Sequence, residues 1–417
     1  MGSQNQPVQG MSDITGGEAA LWRWMEGAAR ETMRRYGFTE LRTPLVEHEE
    51  VFTRSLGGTT DVVQKEMYAF ERGGRRYCLR PEGTAGVMRH AAGMGPADTA
   101  GARWFYWGPM FRCERPQAGR KRQFHQCGAE CLEEPSPLVD AEILALQVDL
   151  LRAWGIPNCT VRINTRGAAA DHAAVAAGLR DALRPFEGRL CEDCRRRIDQ
   201  NVLRALDCKQ PGCREVVEGL PDLTSWMSEE SRAYLAKTES LLKGMGVEVE
   251  RDRLLVRGLD YYEHTIWEIA SDAEGQQNAL AGGGRYRMRM GGRELAGVGF
   301  TVGIERVAGM LDRLGLAAAH AVEEKPDAWL VGLGEAAQEA NLALMRELRV
   351  AGLRCRMAPG GSMKSQMRAA NKSGARWAVI RGDEELSAGT AAVKNMEGGE
   401  QRGVVVADVG TCLGSEG

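Results

Sequence analysis

The sequence predicts an α+β chain of more than one domain, and three observations carry that prediction. Two β-rich runs, residues 103–112 and 122–132, flank a polar basic turn and read as a hairpin whose loop reaches outward. A charged, Cys-containing stretch over residues 171–242 has no β-rich run and reads as a helical insertion. From Asp327 onward, short strand candidates alternate with helical segments, the pattern of a small α/β domain with a largely parallel sheet. A length of 417 residues supports several cores.

Taken in order, residues 18–36 predict an amphipathic helix, with Leu21, Trp24, Met25, Ala28 and Met33 near one face. Residues 38–47 read as extended and lead into a loop or helix-like region over 59–63. After the hairpin, an apolar stripe predicts a helix over 140–154. Beyond the insertion, β character returns at 254–270 and 297–301, and a helix follows over 303–314. AAAHAVEEKP (317–326) marks a boundary. After it DAWLVGL, RCRMAP and WAVIRG supply the strands of the last domain. The domains are therefore expected at 1–170 with 245–320, at 171–244, and at 327–417.

The chemistry concentrates in a few segments. In FRCERPQAGRKRQFHQCGAE (111–130), Arg112, Arg115, Arg120 and Arg122 crowd one turn with Glu114. Four guanidinium groups so close repel one another unless an anion sits among them; a polyphosphate or an RNA backbone would serve, and a solvated basic loop is the plain alternative. Phe124, Gln126 and Glu130 share a strand face by even spacing, a set that suits a polar pocket better than a core. In RLLVRGLDYYEHTIWEIA (253–270), Arg257 follows an apolar run and needs an anionic partner, either Asp260 or a ligand carboxylate or phosphate. The glycines of AGGGRYRMRMGG (281–292) read as a turn that lets backbone approach a ligand. GVGFTVGIERV (297–307) is a strand running into a helix, with Glu305 and Arg306 at the junction.

Together these segments resemble the three signature motifs of class II aminoacyl-tRNA synthetases. LRPEGTAG (79–86) and VRGLDYY (256–262) resemble the two histidine-binding elements of the histidyl-tRNA synthetases, and the likeness runs from about residue 8 to about residue 409. The resemblance implies a catalytic domain built on a mainly antiparallel sheet with flanking helices, a helical insertion, and a C-terminal α/β anticodon-binding domain. It implies ATP-dependent activation of L-histidine, with Mg2+, and transfer to the 3' end of tRNA(His). By the same resemblance Arg257 and Arg112 are catalytic, Arg112, Arg120, Phe124 and Arg306 hold ATP, and Glu82, Thr84 and Gln126 receive the α-amino group of histidine. Glu130 and Tyr262 grip its imidazole, with Tyr286 in the same pocket, and Arg115 and Gln117 meet the tRNA acceptor stem. Pro44, in LRTPLVE, corresponds to a proline at a homodimer interface. A regulatory paralogue of this family, without tRNA charging, lacks the C-terminal domain and much of the arginine set, and this chain has both.

One departure stands out. Arg287 follows GGRY where an acidic residue is usual, and Gly291 and Gly292 come early, which predicts an altered wall beside Tyr286.

The composition excludes little. Hydrophobic residues make up 43% and charged residues 27%, with net charge -3, so a nucleic-acid partner needs a local basic surface rather than an overall one. No apolar run is long enough to cross a bilayer and the first residues have no apolar signal core, so a cytoplasmic protein with no membrane partner is expected. Of the 11 cysteines, Cys191, Cys194, Cys208 and Cys213 have the spacing of a zinc knuckle with a looser second pair. Reduced thiols in a small core are the preferred reading and a structural zinc the alternative.

Overall fold

The chain is described by a computed structural model over residues 5–55, 60, 62–114, 120–157, 159–257, 261–271 and 279–414. It divides into two compact units, residues 1–322 and 323–417.

An eight-stranded sheet organises the first unit. From edge to edge it runs Thr39–Glu40, Arg103–Phe111, Gln123–Leu132, Arg293–Gly303, Ala279–Met290, Tyr262–Ser271, Cys159–Thr165 and Glu250–Arg251. The six inner strands pair antiparallel, and each short edge strand pairs parallel. The expected hairpin is present, and its two strands meet in register from Arg103↔Cys131 to Phe111↔Gln123.

The sheet has two unlike faces because side chains alternate along each strand. Cys127, Ala129, Trp267, Ile269, Val298 and Phe300 point into the main core. There they meet helix Gly16–Arg35 through Met25 and Met33, and helix Pro137–Ala153 through Leu144 and Leu151. Trp154 closes this layer by donating its indole N–H to the Met25 carbonyl at 2.8 Å. Burying a tryptophan with its one donor satisfied keeps its large apolar contribution without the cost of an orphan polar group.

The Gly-rich segment was expected to be a turn and is instead the heart of a strand, Ala279–Met290. Its two neighbours supply the backbone partners that glycine's weak β propensity cannot. The turn comes later, at Gly291 and Gly292, whose φ values of 58° and 82° are the left-handed pair of a tight hairpin. Conversely, residues 254–257 were expected to be β and carry no strand; the strand begins at Tyr262. The helix-like expectation at 59–63 becomes one π-helical turn, Val62–Glu66.

The insertion is helical from Ala169 to Gly244. Val175, Leu179, Ile198, Val216 and Met227 form a core of their own. Helix Glu229–Gly244 packs differently, since Leu235 and Leu242 belong to the main core. The separately packed part therefore ends near Met227, short of residue 244.

The second unit holds a five-stranded sheet in the order Cys355–Met357, Ala328–Gly332, Trp377–Arg381, Thr390–Asn395, Gln401–Val405. The first three strands are parallel and the last two antiparallel, so the sheet is mixed rather than largely parallel. Helices Glu335–Val350 and Met363–Ser373 supply the crossovers that parallel strands require.

Candidate active site

The face of the large sheet opposite the main core carries four glycines along its middle strands. Its register lines up Tyr106, Gly128, Thr301, Gly282 and Glu268 in one row, and Glu130, Gly299, Gly284 and Ile266 in another. A Cβ on Gly282 would stand 2.7 Å from Arg257 Nη1, and one on Gly284 2.9 Å from Tyr262 Cδ1. A Cβ on Gly299 would run into the Glu130 carboxylate. The missing side chains leave a cleft of about 520 Å3.

At one end of the cleft lies Glu130, fully buried. Thr84 Oγ1 donates to its Oε1 at 2.7 Å, and the Tyr286 hydroxyl donates to its Oε2 at 2.8 Å. Burial pushes the Glu130 carboxyl up to about 8, against the pull of these two hydrogen bonds. Thr84 opens helix Thr84–Ala92, and Glu82 caps it by accepting from the backbone N–H of Thr84 at 2.9 Å and of Ala85 at 2.7 Å. Burial raises Glu82 as well, while these amides and Arg112 lower it. Arg80 holds the start of this segment, reaching the Thr43 carbonyl and the Pro109 carbonyl, each at 2.9 Å. Gln126 lies between the ends, and its buried Oε1 has no hydrogen-bond partner among the described residues. An orphan buried acceptor aimed into a cleft is a place for a ligand donor.

The other end is cationic. Arg112 donates from Nε to the Pro81 carbonyl at 2.9 Å and lies 5.3 Å over the Phe124 ring. Arg120 pairs with Glu114 at 3.3 Å. Arg306 donates to the Ala279 carbonyl, and burial together with Arg120 lowers its pKa. Glu305 accepts from the His125 backbone N–H and meets its ring nitrogen at 3.1 Å, which fixes the helix bearing Arg306 to the hairpin. Arg257 sits over Gly282 and pairs with Glu268 at 3.3 Å.

Every described residue expected to hold ATP or histidine or to act in catalysis lines this one cleft: Glu82, Thr84, Arg112, Arg120, Phe124, Gln126, Glu130, Arg257, Tyr262, Tyr286 and Arg306. Arg115 and Gln117 lie outside the described residues. Some arrangements differ from expectation. Thr84, expected at an α-amino group, directs its hydroxyl to Glu130, and the Tyr286 phenol donates to the same carboxyl. Tyr262 instead packs against Tyr261, ring centroids 4.8 Å apart. The partner of Arg257 is Glu268, which sequence reasoning missed, though its even spacing from Tyr262 marks it as facing the same way; Asp260 lies outside the described residues. Tyr286 lines the cleft, while Arg287 next to it pairs with Glu263 and Glu294. Arg204 and Asp207 of the insertion also line the cleft and were not anticipated.

Among known proteins, the family described as histidyl-tRNA synthetase matches residues 10–307, and the anticodon binding domain matches residues 327–415. The histidine–tRNA ligase of Solidesulfovibrio magneticus is 43% identical, over 96% of this chain and 94% of its own length. That of Anaeromyxobacter dehalogenans is 41% identical, over 96% and 97%. The crystal structure of apo histidyl-tRNA synthetase from S. aureus superposes with a TM-score of 0.80 at 30% identity, covering 98% of this chain and 99% of that one.

Proposed function

The chain belongs to the histidyl-tRNA synthetase family, and from that premise we propose how its cleft divides the labour of the reaction. The chain is an aminoacyl-tRNA ligase that charges tRNA(His) with L-histidine at the expense of ATP. Histidine lies at the Glu130 end. A neutral imidazole offers one donor and one acceptor, and Glu130 with the phenols of Tyr262 and Tyr286 reads both ring nitrogens. The α-amino group goes to Gln126 and Glu82, where a buried acceptor awaits a donor. Thr84 and Tyr286 act by fixing the Glu130 carboxylate.

ATP lies at the cationic end, with adenine on Phe124 and the outer phosphates toward Arg120 and Arg306. The histidine carboxylate attacks the α-phosphate in line and pyrophosphate departs. Both reactants are anionic, so fixed positive charge where negative charge accumulates lowers the barrier. Arg112 and Arg257 supply that charge. The Glu114 and Glu268 carboxylates facing the cleft are oxygen donors of the kind that would hold a Mg2+ ion, whose charge would offset that of the phosphates. The histidyl group then passes to the 3' end of tRNA(His), with Arg115 and Gln117 toward the acceptor stem.

We assign the protein to the cytoplasm, where tRNA charging serves the ribosome, and read it as a homodimer. No described helix is long and apolar enough to cross a membrane. What supports the homodimer is the three-stranded sheet of Val46–His48, Arg75–Leu79 and Ala69–Arg72 beside Pro44. Leu45, Val46 and Phe70 are exposed there.

The observation that carries the proposal is the polarity of one cleft, with a buried carboxyl held by two hydroxyls at one end and arginines at the other. Pyrophosphate exchange with each amino acid in turn tests it. Exchange with histidine alone is expected; binding of histidine with no exchange for any amino acid would overturn it.

A further inference from the structure

The four cysteines of the insertion converge in space. Cys191 precedes helix Glu192–Gln200 and Cys194 lies in its first turn. Cys208 follows the Val202–Ala205 turn, and Cys213 lies in the first turn of helix Pro211–Glu218. All four sulfurs lie within 4.8 Å of one another, and those of Cys191 and Cys208 are 3.9 Å apart. Four ligands at tetrahedral corners, each about 2.3 Å from a zinc ion, stand about 3.8 Å apart. The observed set needs little contraction to reach that geometry.

The surroundings suit thiolates. The Cys191 backbone N–H donates to Cys213 Sγ at 3.1 Å. Cys191 and Cys213 stand at the amino ends of their helices, where the peptide dipoles favour negative charge. Four nearby cations are engaged with carboxylates: Arg189 with Glu215, Arg196 with Asp193, Lys209 with Asp207 and Arg214 with Glu218. The local core also has need of a tie. Helix Glu192–Gln200 buries only Cys194 and Ile198, too little apolar surface to hold it unaided.

We propose that Cys191, Cys194, Cys208 and Cys213 bind one zinc ion in a closed tetrahedral site. Four thiols each release a proton to solvent as Zn2+ binds, and no coordination position stays open, so the ion is structural. Its effect reaches the active site through chain connectivity. Arg204 and Asp207 line the catalytic cleft, and Asp207 adjoins the ligand Cys208. The ion thus fixes the segment by which the insertion borders the cleft.

The test is the metal content of the full-length protein, expressed with zinc and purified without chelator. One zinc per chain is expected, released when a mercurial titrates the thiols. Cobalt exchanged into the protein should give the thiolate-to-cobalt charge transfer and intense visible bands of a tetrahedral four-sulfur centre. Cys208→Ser and Cys213→Ser should lose the metal, whereas Cys355→Ser and Cys412→Ser should keep it. Should a ligand variant fail to fold, the cobalt spectrum of the unaltered protein still decides. Zinc well below one per chain, with all four thiols freely reactive or joined as disulfides, would overturn the proposal.

Discussion

The Tyr286 hydroxyl donates to the Glu130 carboxylate at 2.8 Å, and the residue before it, Arg285, donates to Asp140 Oδ1 at 2.9 Å on the opposite face of the sheet. One strand therefore anchors the Glu130 carboxyl on one side and clamps helix Pro137–Ala153 on the other. In Tyr286→Phe the first of these contacts disappears while the aromatic packing stays. The KM for histidine should rise about tenfold, the loss expected for one buried hydrogen bond to an ionisable group, with the KM for ATP nearly unchanged. Pyrophosphate exchange at varied histidine and varied ATP separates the two.

Arg257→Ala should lower histidine-dependent exchange by about 100-fold or more, since it removes charge that acts chiefly in the transition state. Equilibrium histidine binding should change far less. A variant that lost binding and exchange in equal proportion would show Arg257 to be a ground-state contact.

The Glu130 carboxyl, raised to about 8 from an ordinary 4.5, makes the folded chain bind more protons than the unfolded chain between those values. Its contribution to stability is complete below about pH 4.5 and is lost as pH rises through about 8. The unfolding free energy of the ligand-free protein, read by urea titration, should fall across that window by an amount on the order of a few kcal/mol. Glu130→Gln, which cannot ionise, should show a shallower fall. Identical slopes in the two proteins would contradict the assignment.

Gly299→Ala should destabilise the first unit by about 1–3 kcal/mol, because the new methyl meets both the Glu130 carboxylate and the Ala129 carbonyl. Histidine affinity should drop with it. Chemical denaturation and calorimetric histidine binding read the two effects.

Residues 323–417 have cores of their own, built around Leu330, Leu344 and Val379 and around Trp329 and Ile380. A chain ending at residue 322 should keep histidine-dependent exchange. Its charging of tRNA(His) should fall about 100-fold or more, the scale on which a second tethered contact adds to binding.

How much of this was legible in the sequence depended on whether the signal was local. The hairpin was readable because an aromatic-rich run, 103–112, and a second run, 122–132, flank a polar turn rich in Arg, Gly and Pro. Phe124, Gln126 and Glu130 were placed on one face by parity alone. The strand at 279–290 was not readable, because three glycines carry no β signal and only their neighbours in the sheet make them extended. Glu268 was missed for a related reason: its role depends on Arg257, which no periodicity joins to it. The insertion's last helix looked like its predecessors, and only packing assigns Leu235 and Leu242 to the main core.

Where Gly282 and Gly299 line the cleft, its floor is main chain rather than side chain. A floor of that kind cannot be enlarged by trimming residues, since nothing remains to trim, and any addition fills it. Attempts to retune the enzyme toward other amino acids or histidine analogues must therefore work on the walls, through Thr84, Gln126, Tyr262 and Tyr286. Random mutagenesis of the floor should return inactive chains far more often than altered specificities.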